Sequence, residues 1–271
     1  MEIISNIGRY LFAVAITGFG MIQFITADFP TAFLPVPVSL PARILFVQLT
    51  TVIFLLTGIS IVVNKWTEIS TLVTGSIFLL FFFFLLLPRL LSDIRDPTEW
   101  TICSEALAIG SGSIILAGIP SIDFFDSHKK NVFRRIMVRA SRYCFAISLA
   151  VFGIQHMMYS DFIVTLMPSW MPAKKFWSYI IQFALPATAL SIFINIGLRL
   201  AAVLSGCMFL LWVVLLHIPR AIMSPDKETE WTSLFIALAM AGICFLLSRR
   251  FNAVVKIVNL NTINDEAITV Q

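Results

Sequence analysis

The chain has 271 residues, 59% of them hydrophobic and only 13% charged, with a mean hydropathy of +0.93 and a formal net charge of +4. Soluble domains carry roughly 45–50% apolar and about 25% charged residues, so this chain has too little polar surface to cover a water-soluble globule. The basic balance is read as membrane orientation and contact with anionic lipid, and nucleic acid is not expected as a partner.

Eight apolar segments are expected to cross the bilayer as helices, at about 7–27, 42–63, 69–87, 99–116, 141–159, 176–194, 197–217 and 231–247. Each has close to the roughly 20 residues that span a hydrocarbon core of about 30 Å. Helices are the economical form there, because lipid offers no partner to backbone N–H and C=O groups. The predicted fold class is therefore all-α, a polytopic transmembrane helical bundle of eight spans arranged as two parallel four-helix repeats. Arg9 ahead of the first apolar run resembles a signal peptide, but no small-x-small cleavage site follows, and a retained first span is expected.

Between spans four and five, Phe124, Phe125, Val132, Phe133, Ile136 and Met137 alternate with Lys129, Lys130, Arg134, Arg135, Arg139 and Arg142. This segment suits either a short amphipathic helix on anionic headgroups or a charged tether that sets topology. The domain boundaries read from the sequence are 1–118, a first four-span repeat; 119–140, a basic linker; 141–250, a second four-span repeat; and 251–271, a polar tail.

The repeat is carried by matched residues. At an offset of 133, Arg9-Tyr10 matches Arg142-Tyr143, Phe19-Gly20 matches Phe152-Gly153, and Asp28-Phe29 matches Asp161-Phe162. After the first proline loop the offset is 131: Asn64 matches Asn195, Pro88-Arg89 matches Pro219-Arg220, and Thr98-Glu99-Trp100-Thr101 matches Thr229-Glu230-Trp231-Thr232. Four spans per half is an even number, so both halves enter from the same side and are related by an axis along the membrane normal. By the positive-inside rule, the basic linker places both termini in the cytoplasm, in the inner (plasma) membrane, with the proline loops outside.

Ionisable and amide groups within spans are costly in lipid and are the first candidates for function. They gather toward the outer ends: Gln23 and His156 at equivalent positions, His217 and Arg220 at the end of span seven, Glu105 two turns inside span four, and Arg89, Glu230 and Trp231 nearby. Structural readings stand beside these. Thr98 and Thr229 can cap helices whose first turns carry Glu99 and Glu230, Arg89 and Arg220 can pair with those carboxylates, and Pro186 can kink span six. His156 and His217 form a pair able to ligate haem, ranked lower because the first half has Gln23 and Leu86 instead. Glu105 stands opposite Ile236 in the repeat, so a half does not need that carboxyl to fold. No metal site is expected. The cysteines Cys103, Cys144, Cys207 and Cys244 form no Cys-x-x-Cys and read as small buried apolar residues. There is no Walker loop, dinucleotide fingerprint, zinc motif or nucleophile elbow.

From Arg142 to Arg220 the chain resembles the DoxX-like family of four-span membrane proteins. Phe152-Gly153-Ile154-Gln155-His156, Asp161-Phe162, Met167-Pro168-Ser169-Trp170-Met171-Pro172, Arg199-Leu200-Ala201-Ala202 and His217-Ile218-Pro219 carry the likeness. The first half shares it through the repeat, with Gln23 in place of the histidine. The resemblance implies a tandem pair of four-helix units and, as in some members, a link to quinone-coupled or thiol-redox membrane complexes; it names no reaction. The leading expectation is a small amphipathic ligand, quinone or lipid, held between helices in the outer half. Two alternatives are a non-catalytic assembly or anchoring subunit of a membrane complex and a small-solute transporter. Lipids and membrane-complex subunits are the partners considered.

Overall fold

A computed structural model describes residues 2–119 and 128–249, and they contain eight helices long and apolar enough to cross a membrane. In chain order the helices are α1 (Glu2–Thr26), α2 (Arg43–Val63), α3 (Thr67–Phe81), α4 (Leu87–Ser92), α5 (Pro97–Ala117), α6 (His128–Met158), α7 (Ser160–Leu166), α8 (Lys174–Ile194), α9 (Leu198–Trp212), α10 (Ile218–Met223) and α11 (Glu228–Leu247). The third span, Thr67–Ser92, joins α3 to α4, and the seventh, Leu198–Met223, joins α9 to α10.

These two spans run past the prolines at which the sequence reading stops them. Each contains a π-turn, Phe82–Leu86 and Val213–His217. In the first turn the Leu87 N–H reaches the Phe82 carbonyl, and in the second the Ile218 N–H reaches that of Val213, both five residues back. Pro88 and Pro219 have no N–H to give, and the widened turn lets the helix axis continue. The linker reading also changes. Helix α6 runs unbroken for 31 residues, so 128–140 extends span five rather than separating the halves. Arg134 anchors this extension, donating to the Ala117 carbonyl at 3.1 Å and lying 3.9 Å from Glu68. The rest of the linker, 120–127, and the tail at 251–271 lie outside the described residues.

Spans four and eight form the centre: 83% of the α5 segment and 78% of the α11 segment are buried, against 22–56% for the other six. Helices α1, α2, α3 and α5 pack in sequence, and α11 closes that ring against α1. Helices α6, α8, α9 and α11 pack likewise, and α5 closes the second ring against α6. The first span of each half thus lies along the last span of the other, so neither half closes as a four-helix bundle by itself. Small residues set the closest approach. At the α1–α11 crossing a Cβ built on Gly8 would stand 2.6 Å from the Gly242 carbonyl oxygen. Without a hydrophobic drive between helices in lipid, such close backbone packing carries much of the association.

Local features recur 131 or 133 residues apart. Asn64 and Asn195 both end helices in the left-handed region, with φ of 59° and 57°. Arg9 donates to Asn64 Oδ1 at 2.6 Å, and Arg142 to Asn195 Oδ1 at 3.1 Å. Thr57 meets Thr74 at 2.8 Å, as Thr188 meets Ser205 at 2.6 Å. Trp100 Nε1 donates to the Ile94 carbonyl at 2.9 Å, and Trp231 Nε1 to that of Pro225 at 3.0 Å.

The cores of the two rings differ. In the first, Phe54 stacks on Phe78 with ring centroids 5.2 Å apart, Phe33 lies 5.6 Å from Phe78, and Phe19 lies 5.3 Å from Phe33. All four rings are buried. Phe29, Phe33 and Leu34 belong to the first proline loop, which dips into the bundle and is fixed by the Leu34 N–H bond to Pro30 O at 2.7 Å. The second ring is not filled in this way.

Candidate functional site

The open space of the second ring is a cavity of about 640 Å³. Four helices face it with stripes at helical spacing: Thr98, Thr101 and Glu105 on α5; Phe152, Gln155 and His156 on α6, with Tyr159 just past its end; Met208, Phe209 and Trp212 on α9; and Ser233, Ile236, Ala237 and Met240 on α11. His217, from the π-turn, completes the polar set. Ile181 and Leu185 of α8 and residues of α7 supply the remaining apolar wall.

Two changes relative to the first ring account for the space. The counterparts of Phe33 and Phe54 are Leu166 and Leu185, so two aromatic rings are exchanged for smaller side chains. The second proline loop also enters the bundle less deeply: Met167 and Met171 are buried, but Phe162 is 64% exposed, whereas its counterpart Phe29 is 2% exposed. There the chain forms α7, a short helix with no buried residue, and the following turn is held by Lys174 Nζ donating to Met167 O at 2.9 Å.

Polar groups in the cavity are unevenly engaged. Gln155 Nε2 donates to the Pro97 carbonyl at 2.8 Å and to Thr101 Oγ1 at 2.9 Å, tying α6 to the start of α5. His156 Nδ1 lies 2.8 Å from the Phe152 carbonyl, which can only accept, so the proton sits on Nδ1 and Nε2 is left as an acceptor in the neutral ring. His217 Nδ1 is buried without a partner among the described residues. Glu105 makes no hydrogen bond or ion pair among the described residues. The other acids of the spans' ends are matched: Arg89 grips Glu99 through Nε at 3.1 Å and Nη2 at 2.5 Å, and Arg220 holds Glu230 at 2.8 Å.

Of the residues singled out in the sequence, Glu105, His156 and His217 are brought to one cavity and the others are not. Gln23 lies in the first ring, where its Oε1 accepts from Thr50 at 3.1 Å and Thr51 at 3.3 Å and its Nε2 has no partner. Arg89, Arg220 and Glu230 are spent on the two ion pairs, and Trp231 Nε1 is held by a carbonyl of the preceding turn. Thr98 is not a helix cap: Asp96 takes that role for α5, accepting from the Thr98 N–H at 2.8 Å. Lys227 precedes α11 with no side-chain cap, so Thr229 does not cap it either. Pro186 lies inside α8, and its ring fills the space beside Gly153 of α6. Gln155, Tyr159 and Trp212 were missed as site residues, although Gln155 and Tyr159 fall on the helical stripe defined by His156. Among the described residues no group of three His, Cys, Asp or Glu is placed to hold a metal ion.

The Arg89–Glu99 pair gives a direct test of the first half. Arg89 also donates to the Pro35 carbonyl at 3.3 Å, fastening the proline loop. Glu99→Gln is expected to cost about 1–2 kcal/mol, a modest figure because Arg89 keeps some solvent. A thermal melt in detergent should show this loss, and Arg89→Met added to Glu99→Gln should restore part of it.

Comparison with known protein families, with curated proteins and with solved structures gives no match for this chain.

Proposed function

We propose that this integral membrane protein binds a small, membrane-soluble amphipathic ligand, of the quinone or lipid class, in the cavity of its second ring, where α5 of the first half meets the helices of the second. The observation that carries this reading is the pairing of an apolar space of about 640 Å³ with a carboxyl group, Glu105, that has no partner among the described residues. Small-molecule sites are concave, mostly apolar, of roughly 300–1,000 Å³, and carry a few convergent polar groups. An unpartnered polar group within a span is expensive, and a structural role would ordinarily supply its partner.

The same reading takes the chain as two parallel four-span repeats, supported by the hydrogen bonds and π-turns that recur 131 or 133 residues apart. The DoxX-like resemblance lies over the half that supplies most of the cavity wall, while Glu105 comes from the other. The first half, where Gln23 stands for the histidine, serves as the packed counterpart. The excess of basic residues in 129–142 puts the end of the bundle with the proline loops outside the plasma membrane and the termini in the cytoplasm.

Mass spectrometry of small molecules extracted from purified protein tests the proposal. The wild type is expected to retain a lipid-soluble molecule near one per chain. His156→Ala, and separately Leu166→Phe with Leu185→Phe, should reduce that retention at least about tenfold, an effect of roughly 1.4 kcal/mol. Retention unchanged in both variants would overturn the assignment. Protein that purifies empty but with a stoichiometric membrane partner would favour the anchoring role.

A further inference from the structure

We infer that the ligand of this cavity carries a positively charged head, as a lipophilic amine or quaternary ammonium does; the inference rests on the binding reading above and adds the charge. The first support is the charge inventory. Neither lysine nor arginine lines the cavity, and its one ionisable carboxyl, Glu105, has no counter-ion among the described residues. A buried carboxylate is tolerated when a cation or several donors reach it, and here the remaining source of positive charge is the occupant.

The second support is the hydrogen-bond inventory. Gln155 spends both of its Nε2 protons on Pro97 and Thr101, so only its Oε1 is left to interact. His156 spends its Nδ1 proton on Phe152 and offers an acceptor. Thr101 donates to Pro97 O at 3.0 Å, and Ser233 donates to Thr229 O at 2.9 Å. With these protons committed, Gln155, His156, Thr101 and Ser233 offer acceptors, which suit the N–H of an amine head, while Thr98, Tyr159, Trp212 and His217 in the same lining keep groups able to donate. A phosphate or carboxylate head would meet neither lysine nor arginine among the lining residues.

The third support is the wall. Phe152, Tyr159, Phe209 and Trp212 line the same space as Glu105, and aromatic faces attract cations, most strongly when water is excluded. Aromatic rings plus one carboxylate are a general solution for binding alkylammonium groups, and the apolar remainder of the cavity accepts the tail.

Three probes with one tail length separate charge from simple partition: dodecyltrimethylammonium, dodecanol and dodecanoate. They are titrated calorimetrically into the full-length protein in a non-ionic maltoside micelle, with the micelle alone as blank. The ammonium is expected to bind at least about tenfold more tightly than the alcohol, and dodecanoate is expected to show no saturable binding. Glu105→Gln should remove the preference for the ammonium while leaving dodecanol unchanged. Leu166→Phe with Leu185→Phe should abolish binding of both. Equal affinity for ammonium and alcohol, or binding of dodecanoate at least as tight, would overturn the charge inference and leave the cavity reading standing. Binding of none of the three overturns both, and so does ammonium binding that persists in the cavity-filling variant.

Discussion

Gly242→Leu is expected to produce a protein that either fails to accumulate in the membrane or melts about 10 °C below the wild type. A Cβ on Gly242 would stand 2.8 Å from the Gly8 carbonyl oxygen and 2.9 Å from the Phe12 nitrogen. Both are backbone atoms, so no rotamer change can clear them and α1 must move away from α11. Overpacking in a core that can adjust side chains costs about 1–3 kcal/mol; here about 3 kcal/mol or more is expected. For a chain of this size that corresponds to a melting shift on the order of 6–12 °C. Fluorescence-detected size exclusion after heating reads it directly. Leu200→Ala, at a position that faces outward with 67% exposure, is the control and should leave the melt unchanged. If Gly242→Leu melts with the wild type, the α1–α11 crossing does not hold the bundle together.

The second large effect is expected from Phe78→Ala. Phe78 is fully buried and meets three other rings: Phe54 at 5.2 Å, Phe33 at 5.6 Å and Phe19 at 6.2 Å. Removing a core phenylalanine ring costs about 3–5 kcal/mol when the surroundings cannot collapse. Collapse is difficult here because each neighbouring ring is fixed by its own helix or by the proline loop. Part of the loss is recoverable, since the new space is apolar and a small apolar molecule can occupy it. The variant should therefore melt well below the wild type and regain stability in xenon or benzene, to which the wild type's first half should not respond. A variant that melts normally would mean that the aromatic cluster is not a rigid core.

The spans were legible in the sequence because hydropathy reports directly on a bilayer crossing. Their packing was not. Lipid tails and helix interiors are equally apolar, so the sequence does not distinguish the face that meets another helix from the face that meets lipid. This is why the exchange of first spans between the halves could not be read. It is also why Glu105 and His156, 51 positions apart, could not be assigned to one cavity by pattern. Gln23 and His156 stand at equivalent positions of the repeat read from the sequence but have different surroundings. The hydroxyl of Thr50 that satisfies Gln23 is replaced by the side chain of Ile181 on the other side. Pro88 and Pro219 misled by a general rule, that proline stops a helix, which a π-turn evades. Asp96 is readable in principle, since an aspartate before Pro97 is a strong helix start, but Thr98 beyond it carries the same capping chemistry and the pattern alone does not separate them.

The exchange of α1 and α6 has a consequence for how this protein comes into being. During synthesis α1 leaves the ribosome some 200 residues before α11, the helix it lies against, so it must wait in the bilayer with its Gly8 face uncovered. Assembly can finish only after the last span has been inserted. A chain interrupted in the second half therefore strands an intact first half beside an unclosed seam, and membrane quality control meets that seam rather than a finished domain. Severing the connector between the halves, by contrast, leaves every interlocking surface present, and two such pieces made together retain all they need to find each other.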